Sequence, residues 1–174
     1  MRGAFIMDKT NNRIRNPFPP VCDDTSRILI LGSLPSEASR EAGFYYMNPR
    51  NRFWQMLSNL LEEDLVSQDK EGKRAVLLRR HVALSDVIDS CDIHRSADAS
   101  IKNATPSDIP YILNSAPIKH IFLNGKTAYA LFEKHFPEYL SIATALPSTS
   151  PANAKKSLAD LIEDWGKELL PFLK

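Results

Sequence analysis

Cysteine is scarce in this chain: Cys22 and Cys91 are the only two in 174 residues. Two thiols cannot hold a four-cysteine iron–sulfur cluster, and zinc would need His or carboxylate partners at spacings the chain lacks. They are expected to be reduced thiols of a cytosolic protein. Long apolar runs are missing too. None approaches the roughly 18 residues that span a bilayer, and the polar, basic start over residues 1–17 has no secretory apolar core. The cytoplasm, or the nucleoid within it through DNA, is the expected location. Charge of one sign is also lacking, since 22 basic and 21 acidic residues leave a net charge of +1. Bulk charge therefore does not announce a nucleic-acid partner, although a local patch and backbone amides suffice for a few phosphates. No repeat and no low-complexity tract occurs. His81, His94, His120 and His135 form no metal pattern, so no metal and no cofactor are expected.

What is present is an ordinary globular composition, 43% apolar and 25% charged, at a length that suits one domain. Residues 1–26 form an arm, with Arg2, Lys9, Arg13 and Arg15 as its solvated cations. Its Asn16-Pro17-Phe18-Pro19-Pro20 stretch cannot be helical and suits an extended segment lying on the domain of residues 27–174. Arg27-Ile28-Leu29-Ile30-Leu31 is apolar without alternation, as in a buried strand of a parallel sheet. A helix is expected over 51–62, where Phe53, Trp54, Leu57, Leu60 and Leu61 make one stripe. A charged helix over 70–80 precedes a strand over 82–88. A short helix over 107–115 starts at a Ser107 cap with Pro110 in its first turn. A strand over 118–123 leads into a helix ending near His135, and a weaker strand covers 141–146. The last helix is expected to open at Ser150-Pro151, with Ser150 as its cap. Strands alternating with helices predict an α/β protein, a three-layer α/β/α sandwich around a small, mostly parallel sheet. Ligands of such sheets bind beyond the carboxyl ends of the strands.

Three segments at those ends carry candidate chemistry. Gly32-Ser33-Leu34-Pro35-Ser36 permits close approach of a ligand to the backbone, and equally serves as a plain turn; it lacks the Gly-Lys-Ser/Thr ending of a phosphate loop. Phe44, Tyr45 and Tyr46 offer ring faces on which a base stacks, unless the loop simply folds onto the core. Asn48 and Asn51 offer paired donors and acceptors for a base edge or a water, while Asn51 also suits a helix cap. Pro147, Ser148, Thr149, Ser150, Asn153 and Lys155, with Lys156, resemble a phosphate site at a helix start as much as a capped helix. Asp86 near the end of a buried strand is costly unless paired or used. No serine stands in a Gly-x-Ser-x-Gly elbow.

Taken in order and at their spacing, Ile28 through Ser36, Tyr45 through Trp54, and Leu146 through Asn153 resemble the uracil-DNA glycosylase superfamily, most nearly its hypoxanthine-DNA glycosylase branch. The stretches around Asp86 and around Asn124-Gly125 look similar as well. The resemblance runs from about residue 27 to the end of the chain. It implies a four-stranded parallel sheet between helices, and a monofunctional DNA glycosylase of base excision repair that flips a deaminated base out of DNA. It also implies a loop over 146–153 that enters the minor groove. Relatives that cut uracil carry Asp or Asn two residues after the first-motif glycine; Leu34 stands there in this chain. Ser148 stands where the classical uracil enzymes carry a catalytic His. The hypoxanthine branch implicates an asparagine that maps to Asn51, so hypoxanthine is favoured and uracil comes next. The expected roles follow. Asn51 and Asp86 are catalytic. Gly32, Ser33, Leu34, Pro35, Phe44, Tyr45, Tyr46, Asn48 and Asn124 hold the base. Ser36, Pro147, Ser148, Thr149, Ser150, Asn153 and Lys155 meet damaged DNA, double- or single-stranded. No membrane partner is expected, and the chain is expected to act as a monomer. A hydrolase of free nucleosides or nucleotides and a non-catalytic DNA-binding module on the same fold remain the alternatives.

Overall fold

The computed structural model describes residues 13–93 and 101–174. Arg2, Lys9 and His94 lie outside them. The chain opens with β1 (Arg13–Arg15) and β2 (Ile28–Gly32), then α1 (Glu37–Ala42), α2 (Phe53–Leu61) and α3 (Lys70–Arg79). The middle of the chain holds β3 (Val82–Asp86), β4 (Ile88–Ile93), β5 (Ile101–Pro106) and α4 (Ile109–Ser115). It ends with β6 (His120–Asn124), α5 (Lys126–His135), β7 (Ala143–Leu146) and α6 (Leu158–Leu169).

Four strands in the order β3-β2-β6-β7 make a wholly parallel sheet. The uninterrupted apolar run of β2 explains its central place, because helices cover both faces. Ile28 and Ile30 point into a core shared with α2, α3 and α6, including Phe53, Leu57, Leu77, Leu161 and Trp165. Leu29 and Leu31 point into a second core with Ile109, Ile112, Ala128 and Phe132 of α4 and α5. Every β2 residue is buried, and each such aliphatic side chain stabilises the fold by about 1.5–3 kcal/mol. The expected α/β/α layering is thus present, with the sheet fully rather than mostly parallel. Among the described residues no helix is long and apolar enough to cross a membrane.

The parallel register brings all four carboxyl ends to one edge. Gly32 pairs with Asp86, Leu31 with Leu123, and Asn124 with Leu146. A three-stranded antiparallel sheet, β1-β4-β5, stands beside it. That sheet was not expected. The strand over 82–88 stops at Asp86, and the Val87 amide turns to donate to the Gly32 carbonyl (2.8 Å) before β4 begins. Arg15 and its neighbours pair with β4, and fully buried Val21 exchanges backbone hydrogen bonds with Leu84. Residues 13–26 therefore join the packed structure along the outer edge of β3.

Three helix starts differ from expectation. The short α1 was not anticipated; the Ser36 hydroxyl accepts from the Ser39 amide to start it, and Gly43 at φ 73° ends it. The cap of α4 is Asp108, not Ser107: its carboxylate accepts from the Tyr111 amide at 3.1 Å, and Pro110 does sit in the first turn. The last helix begins at Leu158, not at Pro151. Ser157 and Asp160 form a reciprocal capping box there, a stronger start than a lone Ser-Pro pair. Ser150-Pro151 instead make a turn closed by the Asn153 amide on the Ser150 carbonyl (3.0 Å). Residues 147–157 are consequently a loop without helix or strand.

Candidate active site

Asn51 lies between the loop and α2, and its orientation is fixed chemically. Its Oδ1 accepts from the Phe53 amide at 3.0 Å and from the Thr149 hydroxyl at 2.8 Å. A backbone N–H can only face the carbonyl end of a carboxamide, so Nδ2 must be the end left over. Among the described residues no acceptor takes it up. Asn51 thus holds the first amide of α2 with its oxygen and keeps its two N–H donors unspent among the described residues. Its oxygen has no lone pair left to accept from a water, while its N–H groups can still donate to one.

Thr149, fully buried, is the hub of the cluster. Its hydroxyl accepts from Asn124 Nδ2 (3.0 Å) while donating to Asn51, and its amide donates to Asn124 Oδ1 (3.0 Å). Asn124 at the end of β6 therefore spends its carboxamide on Thr149. One N–H and one lone pair of Asn124 remain beyond these two bonds.

Asp86 ends β3, is 3% exposed, and accepts from Asn16 Nδ2 at 3.4 Å. A Cβ on Gly32 would lie 2.5 Å from Asp86 Oδ1 and 2.9 Å from the Tyr46 hydroxyl oxygen. Only glycine leaves room for these two groups beside β2. The Gly32 and Ser33 carbonyls accept from Val87 and Ile88, so these two groups are already engaged. Leu34 is half-buried against the second core, and Pro35 is buried. Ser36 is exposed, and its hydroxyl caps α1 by accepting from the Ser39 amide at 3.1 Å.

The three aromatics separate. Phe44 stacks on Trp54 (5.8 Å) within the core, and Tyr45 is 2% exposed with its hydroxyl on the Pro19 carbonyl (3.3 Å). Neither presents a ring face, so stacking of a base on Phe44 or Tyr45 is corrected to a core role. Burial, and then the nearby Asp86 charge, push the Tyr45 phenol far above its usual pKa; it stays neutral. Tyr46 is only partly buried, adopts φ 55°, and stacks on Phe53 at 4.0 Å. A left-handed backbone at a bulky residue is costly, and here it turns the ring toward Gly32 and Asp86. Asn48 Oδ1 accepts from the Arg50 amide (3.0 Å), closing its own turn.

The 147–156 loop borders a groove of about 720 Å³ lined by Gly125, Lys126, Thr127, Ser148, Ser150, Asn153, Lys155 and Lys156, among others. No residue of the Gly32–Ser36 turn lines it, so the groove flanks the cluster rather than containing it. Lys126 and Lys155 are exposed, while Lys156 pairs with Asp164 at 2.8 Å. Pro147 accepts from the Trp165 indole (2.9 Å), and Asn153 donates to the Ser148 carbonyl (3.0 Å). Sequence reasoning assigned no role to Arg52, Lys126, Gly125 or Asn16. Arg52 lies inside a quoted motif, but nothing in its neighbours discloses that its guanidinium reaches a loop about a hundred residues on.

A fully parallel sheet with helices on both faces thus carries a cluster of asparagine, threonine and aspartate at its carboxyl edge. The chain belongs to the uracil DNA glycosylase superfamily, whose family model matches residues 19–170. It is 32% identical over 145 residues to a hypoxanthine DNA glycosylase of Methanosarcina acetivorans, covering 83% of this chain and 91% of that protein. A hypoxanthine DNA glycosylase of Methanosarcina barkeri is 36% identical over 110 residues, 63% of this chain and 70% of that protein. Among solved structures it is similar to a solution NMR structure of a Methanosarcina acetivorans protein assigned as a uracil DNA glycosylase. The TM-score is 0.72 and the identity 29%, over 86% of this chain and 95% of that one.

Proposed function

We propose that this chain is a monofunctional DNA glycosylase that hydrolyses the N-glycosidic bond of hypoxanthine in DNA, within a base excision pathway. The observation that carries this reading is the fixed direction of the Asn51 carboxamide, with Oδ1 held by Phe53 and Thr149 and Nδ2 left to donate. As the bond breaks, negative charge gathers on the departing base and positive charge on the sugar. Donors aimed at the base oxygen lower that barrier as an oxyanion hole does. Hypoxanthine accepts at O6 and N7, which suits an N–H pair. Asp86 is the complementary group, a carboxylate at the same sheet edge that serves the electron-poor sugar and its water. The nucleotide reaches the site by flipping, at a cost of a few kcal/mol that is smallest for a poorly paired base. The similarity to proteins named hypoxanthine DNA glycosylase supports the choice of base, and so does Leu34 where uracil-cutting relatives carry Asp or Asn. The 147–156 loop and the lysine groove are the proposed DNA contacts. The domain of residues 27–174, with its arm, acts as a monomer in this reading.

The test is single-turnover release of base from duplexes carrying one deoxyinosine, deoxyuridine or deoxyxanthosine, with Asn51→Ala in parallel. Hypoxanthine released by the wild type, and lost by roughly a hundredfold in the variant, is the expected result. Faster release of uracil overturns the base assignment. No release of any base, with binding retained, points to a non-catalytic DNA-binding module.

A further inference from the structure

Arg52 follows Asn51 and holds the loop by its backbone alone. Its Nη2 donates to the carbonyls of Ser150 (3.1 Å) and Asn153 (2.9 Å), and its Nη1 to the carbonyl of Lys156. Its own amide donates to the Thr149 carbonyl at 3.1 Å. The Thr149 hydroxyl, in turn, donates to Asn51 Oδ1 at 2.8 Å. The dipeptide Asn51-Arg52 is therefore tied to the loop at residues 149, 150, 153 and 156. A guanidinium is a rigid planar fork, so three of those carbonyls keep a fixed arrangement around one side chain. Among the described residues Arg52 forms no salt bridge; its charge is spent on the loop.

From this connection, and resting on the proposed function, we infer that Thr149 and Arg52 are positioning residues that transmit contact between the 147–156 loop and DNA to the Asn51 amide. The loop has no helix or strand of its own to set its shape. Its displacement on a phosphate backbone is passed to Asn51 through the Thr149 hydroxyl and the Arg52 fork. Excision is then fastest only on DNA that engages the loop.

The experiment compares Thr149→Val, Thr149→Ser and Arg52→Met with the wild type. Two quantities are read: the single-turnover rate constant at saturating enzyme, and the Kd for a duplex bearing a tetrahydrofuran abasic analogue. Thr149→Val is expected to slow excision about tenfold or more, as for a misplaced catalytic group, with Kd unchanged. Thr149→Ser, which keeps the hydroxyl, restores the rate. Arg52→Met slows excision and also raises Kd, because the whole loop loosens. Thr149→Val at wild-type rate, or slowed in proportion to a weaker Kd, overturns the coupling. A second readout needs no chemistry: the Asn51 side-chain amide signal in ¹⁵N NMR, titrated with the same abasic duplex. It is expected to move in the wild type and not in Thr149→Val, while loop backbone amides move in both. An Asn51 signal that stays still in the wild type, or moves equally in the variant, overturns the coupling. Should the wild type release no base, the proposed function falls, and this titration alone decides the coupling.

Discussion

Gly32 and Asp86 are register partners on adjacent parallel strands, and the side of Gly32 that would carry a methyl group faces Asp86 Oδ1 at 2.5 Å. The Tyr46 hydroxyl oxygen crowds the same point at 2.9 Å. Gly32→Ala must displace one of these groups from the site. We expect a stability loss of about 1–3 kcal/mol from overpacking, and a larger fractional loss of excision than of binding. Chemical denaturation and single-turnover kinetics measure the two. Unchanged activity in Gly32→Ala would mean that the Asp86–Tyr46 arrangement does not matter for the chemistry.

Asn51→Asp separates the two ends of the carboxamide. An aspartate still accepts from Phe53 and Thr149, so the melting temperature should stay close to that of the wild type. The donors are replaced by an anionic oxygen facing the base. Excision of hypoxanthine is expected to fall about a hundredfold or more. Retained activity would show that the Nδ2 donors are not what the base meets.

The groove lysines should act on affinity without regard to the base. Lys126→Ala and Lys155→Ala are each expected to weaken binding to any duplex and to lower the log–log salt slope by about one. Lys156→Ala should do less, because its ammonium already faces Asp164 at 2.8 Å. Fluorescence anisotropy over a salt series reads all three. Equal slopes in the wild type and in both single variants would remove this groove from the DNA path.

Acid should weaken the fold through His120 and His135. Burial lowers the pKa of both. His120 is held by Thr144 Oγ1 (2.7 Å) and stacked on Phe172. A folded-state pKa below the unfolded value, roughly 6.5, means the unfolded chain binds more protons in that range. Stability is then full above that pH and declines as pH falls through and below it. His120→Gln should flatten the slope of stability against pH between neutrality and about pH 5. An unchanged slope would assign the acid response elsewhere.

The fold was legible where burial dictates composition. Ile28 to Leu31 is apolar on both faces because both faces are covered, and such a run admits few other interpretations. The stripe of α2 was equally plain, because Phe53, Leu57 and Leu60 follow the helical period into one core. The small antiparallel sheet was not legible. β4 reads Ile-Asp-Ser-Cys-Asp-Ile, with Asp89 and Ser90 adjacent, and a short segment that breaks the alternation in this way resembles a turn. Ser150-Pro151 has the local chemistry of a helix start, but the reciprocal Ser157–Asp160 box is the one that opens the last helix.

At the site, the convergence of Gly32, Asp86, Asn124 and the 147–156 loop followed from parallel strand order alone. The duties of individual side chains did not. Phe44 and Tyr45 were indistinguishable from ligand-facing rings until the core had a shape. The Phe53 amide that directs the Asn51 carboxamide is local, but its second partner is a hydroxyl 98 residues away, and no local pattern carries that contact.

Arg52 grips the loop by the carbonyls of Ser150, Asn153 and Lys156, and a carbonyl is the one group every amino acid supplies alike. At those three points Arg52 holds the loop whatever side chain stands there. Ala152 and Ala154, both exposed, are free to change by drift or by design while the loop keeps its path. An enzyme built this way can vary the side chains it shows to its surroundings without rebuilding the machinery beneath them.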